Sequence, residues 1–147
     1  MKCFSAQPDF HAGTAFAEMP FFWRFDERSS LEGVIDLAVF LPDSKRWLLL
    51  DWKTNQIKPA ELKDLCAYYR PQIATYWKAV GAMTNQPISA GIYSTVTGKL
   101  VFYGETELTD EWKRLKTVVI HAFGTHTENG GRDKPNEGFR QLEFGPW

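Results

Sequence analysis

Asp36, Asp51 and Lys53 are the residues whose types and spacing could do chemistry. Asp36 sits inside an apolar run, between Ile35 and Leu37, and Asp51 directly follows Leu48-Leu49-Leu50. Between the two runs, Pro42-Asp43-Ser44-Lys45 has the composition of a turn. A hairpin with a two-residue turn at Asp43-Ser44 places Phe40 opposite Trp47, Val39 opposite Leu48, Leu37 opposite Leu50 and Asp36 opposite Asp51. Opposed residues of an antiparallel pair have Cβ atoms ~4.5–5.5 Å apart. Two carboxylates at that separation in an apolar sheet repel each other and lose water, so one takes a proton or a cation sits between them. A hard divalent cation with oxygen ligands resolves the conflict, and Mg²⁺ suits two carboxylates with water and phosphate completing its shell. Lys53, two residues after Asp51, projects from the same face of the strand. Metal, activated water and a nearby ammonium together favour in-line displacement at phosphorus.

The elements that must position this set can be read from the pattern. Residues 15–25 are apolar and aromatic but carry Pro20, which predicts an edge or broken strand. Residues 31–41 and 46–53 read as the two strands of the hairpin. Pro59 fits the first turn of a helix whose face includes Leu62, Leu65, Cys66 and Tyr69. Pro71 should kink or restart that helix, and Ile73, Tyr76, Trp77 and Val80 continue its stripe. Strands are expected at 88–94 and 100–103 around a Thr97-Gly98 turn, followed by a helix at about 110–121 capped by Thr109. Gly, Asn and charged residues from 124 to about 138 predict a long loop, and 139–144 a last short strand. The order β-β-β-α-β-β-α implies a mixed α/β domain with a central sheet and packed helices.

Composition sets the outer bounds. A chain of 147 residues is the size of one domain, and 44% hydrophobic with 24% charged residues is globular composition. Net charge is −1, so nucleic-acid binding has to come from a local site rather than from bulk attraction. No Walker-type phosphate loop is present, and no apolar run reaches the ~20 residues that span a bilayer, so no membrane is expected. Two cysteines, Cys3 and Cys66, without a secretory leader fit a reducing cytoplasm.

Four ordered segments resemble a known family. Glu18-Met19-Pro20-Phe21, Gly33-Val34-Ile35-Asp36, Asp51-Trp52-Lys53-Thr54 and Gln72-Ile73-Ala74-Thr75-Tyr76 are similar, in order and spacing, to motifs of the PD-(D/E)XK nuclease superfamily. The nearest resemblance is to the nuclease domains of the RecB and AddA helicase–nucleases. It implies a restriction-endonuclease-like α/β fold, with a mixed central sheet flanked by helices. By the same resemblance Asp36, Asp51 and the backbone carbonyl of Trp52 hold Mg²⁺, with Mn²⁺ as a substitute, and Lys53 assists the water and the scissile phosphate. Gln72, Tyr76, Thr54 and Glu18 fall at supporting or DNA-contacting positions. Tyr76 also reads as plain core, and Thr54 as an ordinary strand-end residue. An iron–sulfur cluster would need four cysteines, so none is implied. Only fourteen residues precede Ala15, so the family's first helix is missing or His11 stands in for its ligand. His121 and His126 read as surface or packing residues.

The resemblance therefore leads to a metal-dependent DNA nuclease working with a helicase motor domain or subunit in double-strand break repair. Two alternatives stay open: a non-catalytic module that keeps the fold and binds DNA or a partner, and a structure-selective endonuclease of the same fold.

Overall fold

The computed structural model describes residues 13–124. Their order is β1 (Thr14–Arg24), β2 (Ser30–Leu41), β3 (Arg46–Lys53), a short 3₁₀ turn (Pro59–Glu61), α1 (Leu62–Thr84), β4 (Ile88–Ser94), β5 (Lys99–Phe102) and α2 (Glu105–Gly124). The five strands form one sheet in the order β1-β2-β3-β4-β5. β1, β2 and β3 are antiparallel neighbours, β3 and β4 run parallel, and β5 returns antiparallel to β4. A parallel pair needs a crossover, which α1 supplies. This is a restriction-endonuclease-like mixed α/β fold.

The β2–β3 hairpin has the register expected from sequence, from Leu37↔Leu50 to Phe40↔Trp47. Pairing extends one step further, to Leu41↔Arg46, so the connection is the four-residue turn Pro42-Asp43-Ser44-Lys45 rather than a two-residue one. Lys45 closes it in a left-handed conformation (φ 49°), donating its N–H to the Pro42 carbonyl at 3.3 Å. At the other end the ladder stops at Leu37↔Leu50, one step short of Asp36 and Asp51. Like charges directly opposite one another destabilise a pair, and here the strands part where that would begin.

A second irregularity lies on the other side of Asp36. The β1–β2 ladder is continuous except at Glu18, the residue that its register would place opposite Asp36. Glu18 has φ 50°, a left-handed conformation that is uncommon for a residue with a Cβ. Side-chain alternation on β2 slips at the same level. Leu31 and Ile35 face the core under α1; the next member of that core is Ala38, whereas Leu37, Val39 and Leu41 gather on the opposite face with Leu48. Asp36 thus occupies a local break shared by two strands, not a regular mid-strand position.

α1 covers one face of the sheet, burying Leu65, Ile73, Ala74, Tyr76, Ala79 and Val80. Full burial of side chains such as Leu65, Ile73 and Val80 contributes about 1.5–3 kcal/mol each. The Glu61 carboxylate accepts the Lys58 N–H at 2.6 Å and closes the entry to the helix. The helix runs unbroken through Pro71, without the restart that was one of the two expectations there. Proline deletes only the bond to the Ala67 carbonyl, and Ala67 is exposed, so water can satisfy that oxygen. α2 begins at Glu105, earlier than Thr109 suggested. The Glu107 carboxylate accepts the Gly104 N–H at 3.4 Å, and the Thr109 hydroxyl instead bonds back to the Glu105 carbonyl at 2.8 Å. Arg70 ties the two helices together through Glu107 at 2.7 Å. The expected loop from 124 to about 138, the strand at 139–144, Cys3, His11 and His126 lie outside the described residues.

The left-handed position of Glu18 has a stability signature. In an ordinary strand Gly is less stable than Ala by roughly 0.5–1 kcal/mol, but at positive φ the order reverses by a similar amount or more. Glu18→Gly is expected to melt above Glu18→Ala in parallel thermal unfolding experiments; the opposite order would show a regular strand at this position.

Candidate active site

β3 carries Asp51 and Lys53 on the same face as Leu49, toward α1, and both are buried, at 3% and 2% exposure. Two charged groups cannot be buried this deeply without partners. The Lys53 ammonium forms an ion pair with Asp51 Oδ2 and donates to Gln72 Oε1 at 3.1 Å. It also lies over the Tyr69 ring, 3.8 Å from the centroid, a cation–π arrangement. Gln72 Nε2 donates to the Tyr76 hydroxyl at 2.8 Å. Asp51, Lys53, Gln72 and Tyr76 therefore form one polar chain between β3 and α1. The i, i+4 spacing of Gln72 and Tyr76 brings both side chains to the same face of the helix.

Asp36 joins from β2 by a different route from the one expected. It does not pair with Asp51 across the ladder; its Oδ2 accepts the backbone N–H of Trp52 at 2.8 Å. Continued antiparallel pairing would have directed that N–H to the β2 backbone. An extended residue projects its N–H and C=O from the same edge of the strand. The Trp52 carbonyl therefore leaves β3 on the side where Asp36 lies.

Burial pushes the Asp51 carboxyl up to about 6; the Lys53 ammonium opposes the rise and the Asp36 charge adds to it. Lys53 is lowered by burial, with Asp51 and then Asp36 holding its proton in place. Tyr76 is raised to about 12, chiefly by burial and against the Gln72 hydrogen bond, so it remains a neutral phenol.

The residues present fit a divalent cation. Asp51 Oδ2 is buried, and apart from the Lys53 ion pair no directed hydrogen bond reaches it. The Asp51 and Asp36 carboxylates are hard oxygen donors of the kind a divalent cation takes. Among the described residues no cluster of three or more His, Cys, Asp or Glu side chains forms, so the protein donors would be the two carboxylates and a backbone carbonyl. That count suits an ion that keeps several of its waters.

The four segments singled out in the sequence pack against one another. Phe21, from Glu18-Met19-Pro20-Phe21, meets Tyr76 edge-to-face with centroids 5.4 Å apart. A Cβ on Gly33 would lie 2.9 Å from the Phe21 ring and 3.3 Å from the Tyr76 ring, so glycine is what lets these rings close over β2. Glu18 and Thr54 are exposed, Glu18 beside the Asp36 break and Thr54 just past the end of β3. With this geometry in view, comparison with protein families is decisive: residues 4–140 match the PD-(D/E)XK nuclease superfamily. The chain belongs to the PD-(D/E)XK nuclease superfamily. No curated protein matches it.

Membership in this superfamily points to nuclease activity, and its enzymes generally use divalent metals such as Mg²⁺. Sequence reasoning missed two residues at the site. Tyr69 was read only as part of a helical stripe, although its i, i+3 relation to Gln72 already put it near that residue's face. Asn55, whose side-chain amide donates to the Tyr69 hydroxyl at 3.3 Å, carried no sequence signal. Tyr76 proves to be both core and network, at 5% exposure with a hydrogen-bonded hydroxyl.

A pH signature follows for the metal-free protein. A carboxyl raised by folding stabilises the fold below its unfolded pKa, and that contribution is lost as pH rises through its folded pKa, here between about 4 and about 6. Lys53→Met removes the cation that opposes the rise, so the Asp51 midpoint should move above about 6. Removing one partner of a buried pair costs about 3–5 kcal/mol. The deficit of Lys53→Met is expected in full near pH 8 and should shrink toward pH 5 as Asp51 takes up a proton. Thermal melts in EDTA across that range, with a carbon-13 titration of the carboxyl, would check both shifts.

Proposed function

We propose that the chain is a metal-dependent deoxyribonuclease, a single nuclease domain cutting phosphodiester bonds at the Asp36–Asp51–Lys53 site. The observation that carries this reading is the meeting of a buried carboxylate, a buried ammonium and Gln72 beside a second carboxylate, at the C-terminal end of one strand. A buried charged set of this kind contributes little to stability compared with apolar packing, which favours a chemical role for it.

Asp36, Asp51 and the Trp52 carbonyl would hold the ion, which supplies positive charge to a phosphoryl oxygen and acidifies its own water. Asp36 is fixed by the Trp52 N–H, so its free oxygen has a set direction. Lys53, held between Asp51 and Gln72, would meet a non-bridging phosphate oxygen or the attacking water and stabilise the charge that develops there. Gln72 accepts from Lys53 and Tyr76 accepts from Gln72, which favours a supporting role for both. Glu18 and Thr54 are exposed, which supports a role for them in contacting the substrate. The four-motif resemblance to RecB and AddA nuclease domains favours a DNA end as substrate, with a helicase motor as the partner that unwinds it.

The test is cleavage of end-labelled single- and double-stranded DNA in Mg²⁺ or Mn²⁺. Asp51→Asn and Lys53→Met are expected to lose at least about 10²–10³-fold in rate while keeping their circular dichroism, and EDTA should abolish cutting. Cleavage that survives either substitution would place the chemistry elsewhere. A folded, metal-binding protein that cuts no DNA would favour a non-catalytic DNA-binding module.

A further inference from the structure

Neighbouring tyrosines on the first turns of α1 have very different surroundings. Tyr69 lies over the Lys53 ammonium and is linked to Asn55, in the segment joining β3 to α1. Tyr68, the next residue toward the helix start, is 75% exposed, the most exposed large apolar side chain among the described residues. Its ring stands perpendicular to Tyr69, at 85° with centroids 4.9 Å apart. Such a contact fixes the ring's orientation while leaving most of its surface to solvent.

A single exposed aromatic is ordinary on a protein surface. This one lies at the outer end of a continuous line of groups running from the buried Lys53 ammonium through Tyr69 to Tyr68. If Lys53 meets the scissile phosphate, the base of an adjacent nucleotide falls within reach of Tyr68. An aromatic ring offers a nucleobase a stacking surface that is indifferent to sequence. Bases inside a duplex have both faces covered by their neighbours, whereas an unpaired base has a face to give.

We propose that Tyr68 stacks on an unpaired nucleobase beside the scissile phosphate, with Tyr69 holding its orientation, so that the site selects single-stranded or frayed DNA over intact duplex. This rests on the nuclease reading of the Lys53 site, and the experiment separates the two. The full chain, its Tyr68→Ala and Tyr68→Trp variants and an Asp51→Asn control are titrated with fluorescent oligothymidylate in Ca²⁺, which occupies oxygen sites without a requirement for turnover. A matching strand with abasic sites and a blunt duplex are titrated alongside.

Base–aromatic stacking is worth about 5–150-fold in affinity. Tyr68→Ala is expected to weaken single-strand binding by an amount in that range, Tyr68→Trp to retain it, and the abasic strand to bind wild type and Tyr68→Ala alike. Duplex affinity should not respond to the substitution. Equal single-strand affinity for wild type and Tyr68→Ala overturns the proposal, as does an equal loss on the abasic strand or the absence of single-strand binding by wild type. Because binding is read without cleavage, an inactive nuclease leaves the stacking result standing, and failed stacking leaves metal-dependent cleavage untouched.

Discussion

The buried ion pair between Asp51 and Lys53 at the end of β3 is the constraint around which the rest is arranged. Placing these charges under a helix is unfavourable unless every neighbour contributes. Gln72 accepts from the ammonium, the Tyr69 ring covers it, and Tyr76 takes up the far side of Gln72. Tyr76 in turn needs space, which Gly33 leaves open and Phe21 fills edge-on. Residues on β1, β2, β3 and α1 are thereby committed to one another by a site that adds little to stability.

The sheet carries the same commitment in its irregularities. Regular pairing to the end of the hairpin would set Asp36 directly against Asp51. The strands separate one residue earlier, Glu18 takes a left-handed turn beside the gap, and Asp36 settles on the Trp52 N–H. The two carboxylates stay close enough for Asp36 to raise Asp51, yet avoid the head-on contact that a regular ladder would force. Strain and broken pairing gathered at one place are common at functional sites.

Much of this was legible in the sequence, and the rest was not, for identifiable reasons. The hairpin register followed from matching Phe40 with Trp47 and Val39 with Leu48, because cross-strand pairs are local and the turn between them is short. The helix from Leu62 to Thr84 was visible as a stripe, but its continuity through Pro71 was not, since that depends on the exposure of Ala67 rather than on local propensity. The earlier start of α2 turned on the Glu107 side chain reaching back to Gly104, while Thr109 offered a plausible but unused cap. Asp36, Asp51 and Lys53 were chosen from residue type and spacing, Gln72 and Tyr76 from the family resemblance, and the structure brings them into one neighbourhood. The break at Glu18 and the cover provided by Tyr69 stayed hidden, because both arise from tertiary packing around the site.

The proposed function stands on a divalent cation shared by Asp36 and Asp51 beside Lys53. Anomalous diffraction from a crystal equilibrated with Mn²⁺ tests it most directly. A strong peak is expected within coordinating distance of both carboxylates and the Trp52 carbonyl, absent from an Asp36→Asn, Asp51→Asn crystal treated identically. A well-occupied peak elsewhere, or one at this site that persists without both carboxylates, would contradict it.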